Sequence, residues 1–77
     1  MNKIRLYSSR EIINALSRDG FEIARKSKGG HMSMTKRIKS GHLVVTVPMA
    51  KKEIPRGTFG NILRQAGLSK DEFQELL

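Results

Sequence analysis

Apolar residues recur along this 77-residue chain with two periods, and the switch from one to the other marks its elements. Ile12, Ile13 and Leu16 fall at helical spacing behind Ser8-Ser9-Arg10-Glu11. That tetrad fits a capping box, in which a serine hydroxyl and a carboxylate three residues on satisfy backbone amides at a helix start. Tyr7 and Ile12 fit the hydrophobic staple around it, and Gly20, after Asp19, can take the left-handed conformation that ends a helix. The pattern predicts a helix over 9–19 that covers a sheet.

Alternation then replaces helical spacing in three segments, 21–27, 31–38 and 42–47, separated by Gly29-Gly30 and Ser40-Gly41. These read as strands in consecutive hairpins. Phe21 shares a parity with Ile23, and Met32 with Met34 and Ile38, which assigns those residues to a buried face. In a strand without a bulge, His31 falls with Ser33, Thr35 and Arg37, away from the methionines. Pro48 ends the third strand. After a loop through 51–53, Phe59, Ile62, Leu63 and Ala66 return to helical spacing, with Thr58 as the expected N-cap and Gly67 as the stop. Ser69-Lys70-Asp71-Glu72 is a second capping box, with Leu68 and Phe73 as its staple.

The order is therefore α-β-β-β-α-α. We expect an α+β fold in one small domain spanning 1–77, a three-stranded antiparallel sheet with helices packed on one face, similar to double-stranded-RNA-binding domains.

Charge changes the picture from scaffold to partner. With 15 Lys and Arg against 7 Asp and Glu the formal charge is +8, which favours a polyanion through long-range attraction and counterion release. Residues 1–40 hold ten basic and three acidic side chains, whereas 41–77 hold five and four. The first half should meet the partner. Cysteine is absent and histidine occurs twice, so no disulfide or thiolate metal site is available and no metal or cofactor is expected. No apolar run approaches the roughly 20 residues of a membrane span, and a cytoplasmic protein is expected.

The candidate chemistry centres on Lys28-Gly29-Gly30-His31. Imidazole is the side chain whose ordinary pKa lies near neutrality, so a histidine beside a cationic glycine turn can move a proton where a phosphate is held. Arg25, Lys26 and Lys28, with Arg37 further on, belong to a run from 25 to 39 that contains six Lys or Arg and no acid. RNA contact is the better reading of this run, and a solvated face the plainer one. Gly29 and Gly30 make a turn and also allow a phosphate close to the backbone. His42 reads as a hairpin residue, with a minor alternative as the general acid. Aromatic residues are few and placed for core or staple, which gives little support for base stacking.

Taken together, Asp19-Gly20-Phe21, Lys28-Gly29-Gly30-His31, Val45-Thr46-Val47-Pro48, Pro55-Arg56-Gly57-Thr58 and Ile62-Leu63-Arg64-Gln65-Ala66-Gly67-Leu68-Ser69 resemble, in order and spacing, the HicA family of mRNA interferase toxins of toxin–antitoxin systems. The resemblance implies a metal-independent endoribonuclease, a hydrolase acting in a stress response, with His31 catalytic and a HicB-like antitoxin that binds the toxin and blocks its surface. Family members often have Gly-Ser-His and a second histidine close by; here Gly30 and Met32 occupy those places. Two non-catalytic readings stand beside it. One is an RNA-binding module using the same basic sheet. The other is a DNA-binding protein whose helix 58–67 presents Gly60, Asn61, Arg64 and Gln65 to a major groove.

Overall fold

The computed structural model describes residues 5–26 and 29–77. Its elements follow the expected order: α1 (Ser9–Arg18), β1 (Glu22–Lys26), β2 (His31–Ile38), β3 (Gly41–Pro48), α2 (Arg56–Ala66) and α3 (Lys70–Glu75). The strands form an antiparallel sheet in the order β1-β2-β3.

Both capping boxes form. Ser8 accepts from the Glu11 amide while the Glu11 carboxylate accepts from the Ser8 amide, and Ser69 and Glu72 do the same at α3. Gly20 and Gly67 take positive φ, 104° and 70°, beyond α1 and α2. One start differs from expectation. Pro55, rather than Thr58, caps α2, because the Phe59 amide already donates to the Pro55 carbonyl and Thr58 lies inside the first turn. Proline's φ suits a helix entrance, but it contributes no side-chain cap.

The core lies between one sheet face and the helices. Ile12, Ala15 and Leu16 of α1, Met32 and Met34 of β2, Val45 and Val47 of β3, and Ile62, Leu63 and Ala66 of α2 are all buried there, with Phe73 of α3 at one end. Burying each large side chain stabilises by about 1.5–3 kcal/mol. Helices α1 and α2 pack over β3, and Gln65 of α2 accepts a hydrogen bond from the outward Thr46 amide, satisfying part of that sheet edge.

β1 is left uncovered. Phe21, just before it, is buried, but Ile23 is 52% exposed, and every residue of β1 is exposed. Ile23 shares the buried parity, as the alternation suggests, yet its position on the outer strand leaves it beyond the reach of the helices. Among the described residues no helix is long and apolar enough to cross a membrane.

Candidate active site

His31 opens β2 and is exposed. The pairing of β2 with β3 runs without interruption from His31 opposite Pro48 to Ile38 opposite Gly41. Its side-chain parity is therefore preserved along the whole strand: Met32 and Met34 are buried, and His31, Ser33, Thr35 and Arg37 occupy the other face. Beyond the strand the Met49 amide donates to the Gly30 carbonyl at 2.7 Å, so the ladder continues past His31. Gly30 has φ +82°, and a Cβ there would meet nothing within 4 Å. Glycine is needed at this position for its backbone angle, and the main chain beside His31 is bare.

The bulge lies in β1. Ile23 pairs with Met34, but Arg25 pairs with Ser33, so Ala24 is an extra residue. An unbroken register would have set Arg25 opposite buried Met32. The bulge instead puts it opposite Ser33, on the face of His31, while Lys26 pairs with Met32 on the opposite side. Arg25 makes no ion pair with any described residue.

The other predicted binding residues do not gather in one place. Arg37 shares the open face, but six residues of extended chain put it about 20 Å from His31, where it pairs with His42. His42 is therefore too distant to act on a phosphate held at His31. Lys36, within the same basic run, is ion-paired to Asp19 at 3.0 Å. Gly29 belongs to the turn and is exposed. Lys28 lies outside the described residues. Among the described residues, His31, Arg25, Gly29 and Gly30 thus form the cluster at one end of the sheet.

One residue at that end was not singled out from the sequence. Ser9, at the first position of α1, is buried, and its Oγ donates to the Pro48 carbonyl at 2.6 Å while accepting from the Lys51 amide at 3.0 Å. Its own amide donates to the Lys51 carbonyl at 2.9 Å. These bonds clamp the end of β3 that pairs with His31, across a turn in which Ala50 adopts φ 58°. A left-handed alanine costs about 1–2 kcal/mol, offset here by the clamp. The capping box drew attention to Ser8, and nothing local distinguishes the serine beside it.

Elsewhere on the surface Gln65 is engaged with β3, and Arg64 donates to Asn61 at 3.2 Å. Asn61, Arg64 and Gln65, the three side chains proposed with Gly60 to read DNA bases, are thus all engaged within the chain.

Comparison with curated proteins returns no match. The family model described as the HicA toxin of bacterial toxin-antitoxin matches residues 9–68, a span that includes α1, the whole sheet with its His31 cluster, and α2. From the first residue of α1 to the residue after the α2 cap, sequence and architecture agree, and the chain belongs to the HicA toxin family of bacterial toxin–antitoxin systems.

Proposed function

We propose that this toxin is an mRNA interferase that cleaves RNA by intramolecular attack, with His31 as general base. The observation that carries the reading is the shared face of His31 and Arg25, which depends on the β1 bulge. The neutral imidazole takes the proton of a 2′-hydroxyl, O2′ attacks the adjacent phosphorus, and the bond from phosphorus to O5′ breaks. The leaving oxygen takes a proton from solvent, and the ends are a 2′,3′-cyclic phosphate and a 5′-hydroxyl. Arg25 offsets charge on the non-bridging oxygens as they approach the phosphorane-like transition state. The bare Gly29-Gly30 turn lets the phosphate come close to the main chain. Lys28 and Arg37 are assigned to flanking phosphates, where they add affinity that depends on salt, and Lys26, on the opposite side of β1, adds only to the long-range attraction of the RNA. The nucleophile belongs to the substrate, so no covalent enzyme intermediate is needed.

A HicB-like antitoxin is the proposed inhibitor, with acidic side chains over the basic strand and His31. The test is end-group analysis of RNA incubated in EDTA with antitoxin-free toxin and with a folded His31→Ala variant. Cyclic-phosphate and 5′-hydroxyl ends from the parent alone are expected. Equal cleavage by both removes His31 from the mechanism, and tight RNA binding without cleavage by either makes the protein a binding module.

A further inference from the structure

On the helix side of the molecule, the segment before α1 meets α2 and α3 around an open cleft of about 560 Å³, within the roughly 300–1,000 Å³ range of ligand pockets. Tyr7, Phe59 and Phe73 line it, and Arg5, Arg56 and Lys70 stand at its rim. We infer that this cleft is a docking site for an acidic segment of the antitoxin that inserts an aliphatic side chain, an anchorage separate from the face that carries His31. The inference does not depend on whether the toxin cleaves RNA.

Charge argues for the acidic character. Among the described residues, no acidic side chain lines the cleft. Arg5 is ion-paired to Glu11 and lies over the Tyr7 ring, 5.0 Å from its centroid, but Arg56 and Lys70 have no ion pair among the described residues. An incoming carboxylate would therefore meet two unneutralised cations at an apolar opening.

Ring geometry argues for an aliphatic anchor rather than a nucleobase. The three rings pack on one another with centroids 5.0–5.2 Å apart, Phe59 and Tyr7 each edge-to-face with Phe73. Phe73 is fully buried and Tyr7 nearly so. Their faces are spent on each other, which leaves no platform for base stacking.

Glycine argues that the opening is kept clear. Gly57 and Gly60, three residues apart in α2 and both lining the cleft, weaken a helix without any local need. Neither has positive φ, and a Cβ on either would meet nothing within 4 Å. Side chains there would close the space that a partner's main chain would use.

The experiment titrates the cognate antitoxin against the parent toxin, Gly60→Gln, and the double variant Arg56→Glu/Lys70→Glu, with thermal melts and RNA cleavage assays in parallel. Gly60→Gln should melt no lower than the parent, because glutamine is the better helix former, yet bind the antitoxin at least tenfold more weakly. The charge-reversed variant, altered only at exposed positions, should lose a similar factor and show a weaker salt dependence of binding. RNA cleavage by both should stay within twofold of the parent's. Parent-like antitoxin affinity in both variants would overturn the inference. So would amide shifts at Gly57 and Gly60 that follow added single-stranded RNA instead of the antitoxin, which would give the cleft to RNA. Absence of cleavage in the parent bears on His31 alone and leaves the titration interpretable.

Discussion

The open face of the sheet carries a histidine at each end, and both follow a glycine: Gly30-His31 where β2 begins, and Gly41-His42 where β3 begins. Their surroundings differ. At the His31 end the bulge in β1 brings Arg25 onto the same face, and Ser9 binds the opposing strand end through the Pro48 carbonyl and the Lys51 amide. At the His42 end the strands close through Lys39-Ser40, both exposed. Nearby Lys36 is committed to Asp19. The same dipeptide thus marks a clamped strand end in one place and a surface hairpin in the other, with an arginine on the open face at each, Arg25 near His31 and Arg37 opposite His42. A catalytic imidazole must be held at its phosphate; both settings have a cation on the face, and the first adds a strand end secured by the buried Ser9 hydroxyl.

Substitution at the two histidines gives the largest expected contrast. His31→Ala should lower kcat for RNA cleavage by about 10²–10⁴-fold, the usual contribution of a general base, whereas His42→Ala should stay within about twofold. A large loss from His42→Ala, measured by single-turnover cleavage, would break the contrast.

The cations give the next effect. Arg25→Ala should reduce kcat/KM by roughly tenfold to a hundredfold through lost charge stabilisation at phosphorus. Arg37→Ala, about 20 Å away by strand rise, should act mainly on RNA affinity and its salt slope. Comparing kcat with KM for the two variants separates the roles.

Ser9 tests the clamp. Ser9→Ala leaves the Pro48 carbonyl and the Lys51 amide without their side-chain partner and should cost about 1–3 kcal/mol in denaturant unfolding, against almost nothing for Ser40→Ala. If Ser9 positions His31, kcat falls with KM held, and Ser9→Thr restores it because the hydroxyl is retained. A purely structural role would lower stability without that split.

Acid should loosen the same end by a smaller amount. The Ser8 amide, and then the Arg5 charge, hold the Glu11 carboxyl below its ordinary value of 4.5, and the Ser69 amide does the same for Glu72. A carboxylate whose pKa is lowered by folding contributes stability that is present above its unfolded value and lost as pH falls through the folded one. Below about pH 4.5 the α1 entrance should weaken, and the Lys51 amide, which donates to Ser9, should exchange faster relative to its intrinsic rate. Amides in the Lys39-Ser40 turn have no such cap and should not respond.

The smallest expected change is relief of strain in the turn that Ser9 holds. Ala50→Gly removes a left-handed penalty of about 1–2 kcal/mol but returns about 0.5–1 kcal/mol of chain entropy. A net gain of about 0.5 kcal/mol in unfolding free energy is expected, and a loss would show that the turn is not strained.

Much of the molecule follows from short stretches of sequence. Ser8 with Glu11, and Ser69 with Glu72, start helices because their partners lie three residues apart, and Gly20 and Gly67 end them because few other residues accept those backbone angles. The β2 alternation assigned Met32 and Met34 to the core and His31 to the open face, since side-chain parity needs only an unbroken strand. The position of Arg25 could not be read in that way. A bulge depends on pairing between two strands, and one extra residue reverses the face of everything after it. Ile23 is exposed for a related reason, because alternation gives a face but not a place in the sheet. Ser9 gains its role only when residues 39 and 42 positions away return to it. Local chemistry thus determined the elements and the orientation of His31, while the cation beside it and the serine that secures its neighbouring strand were decided by tertiary contacts that no local window contains.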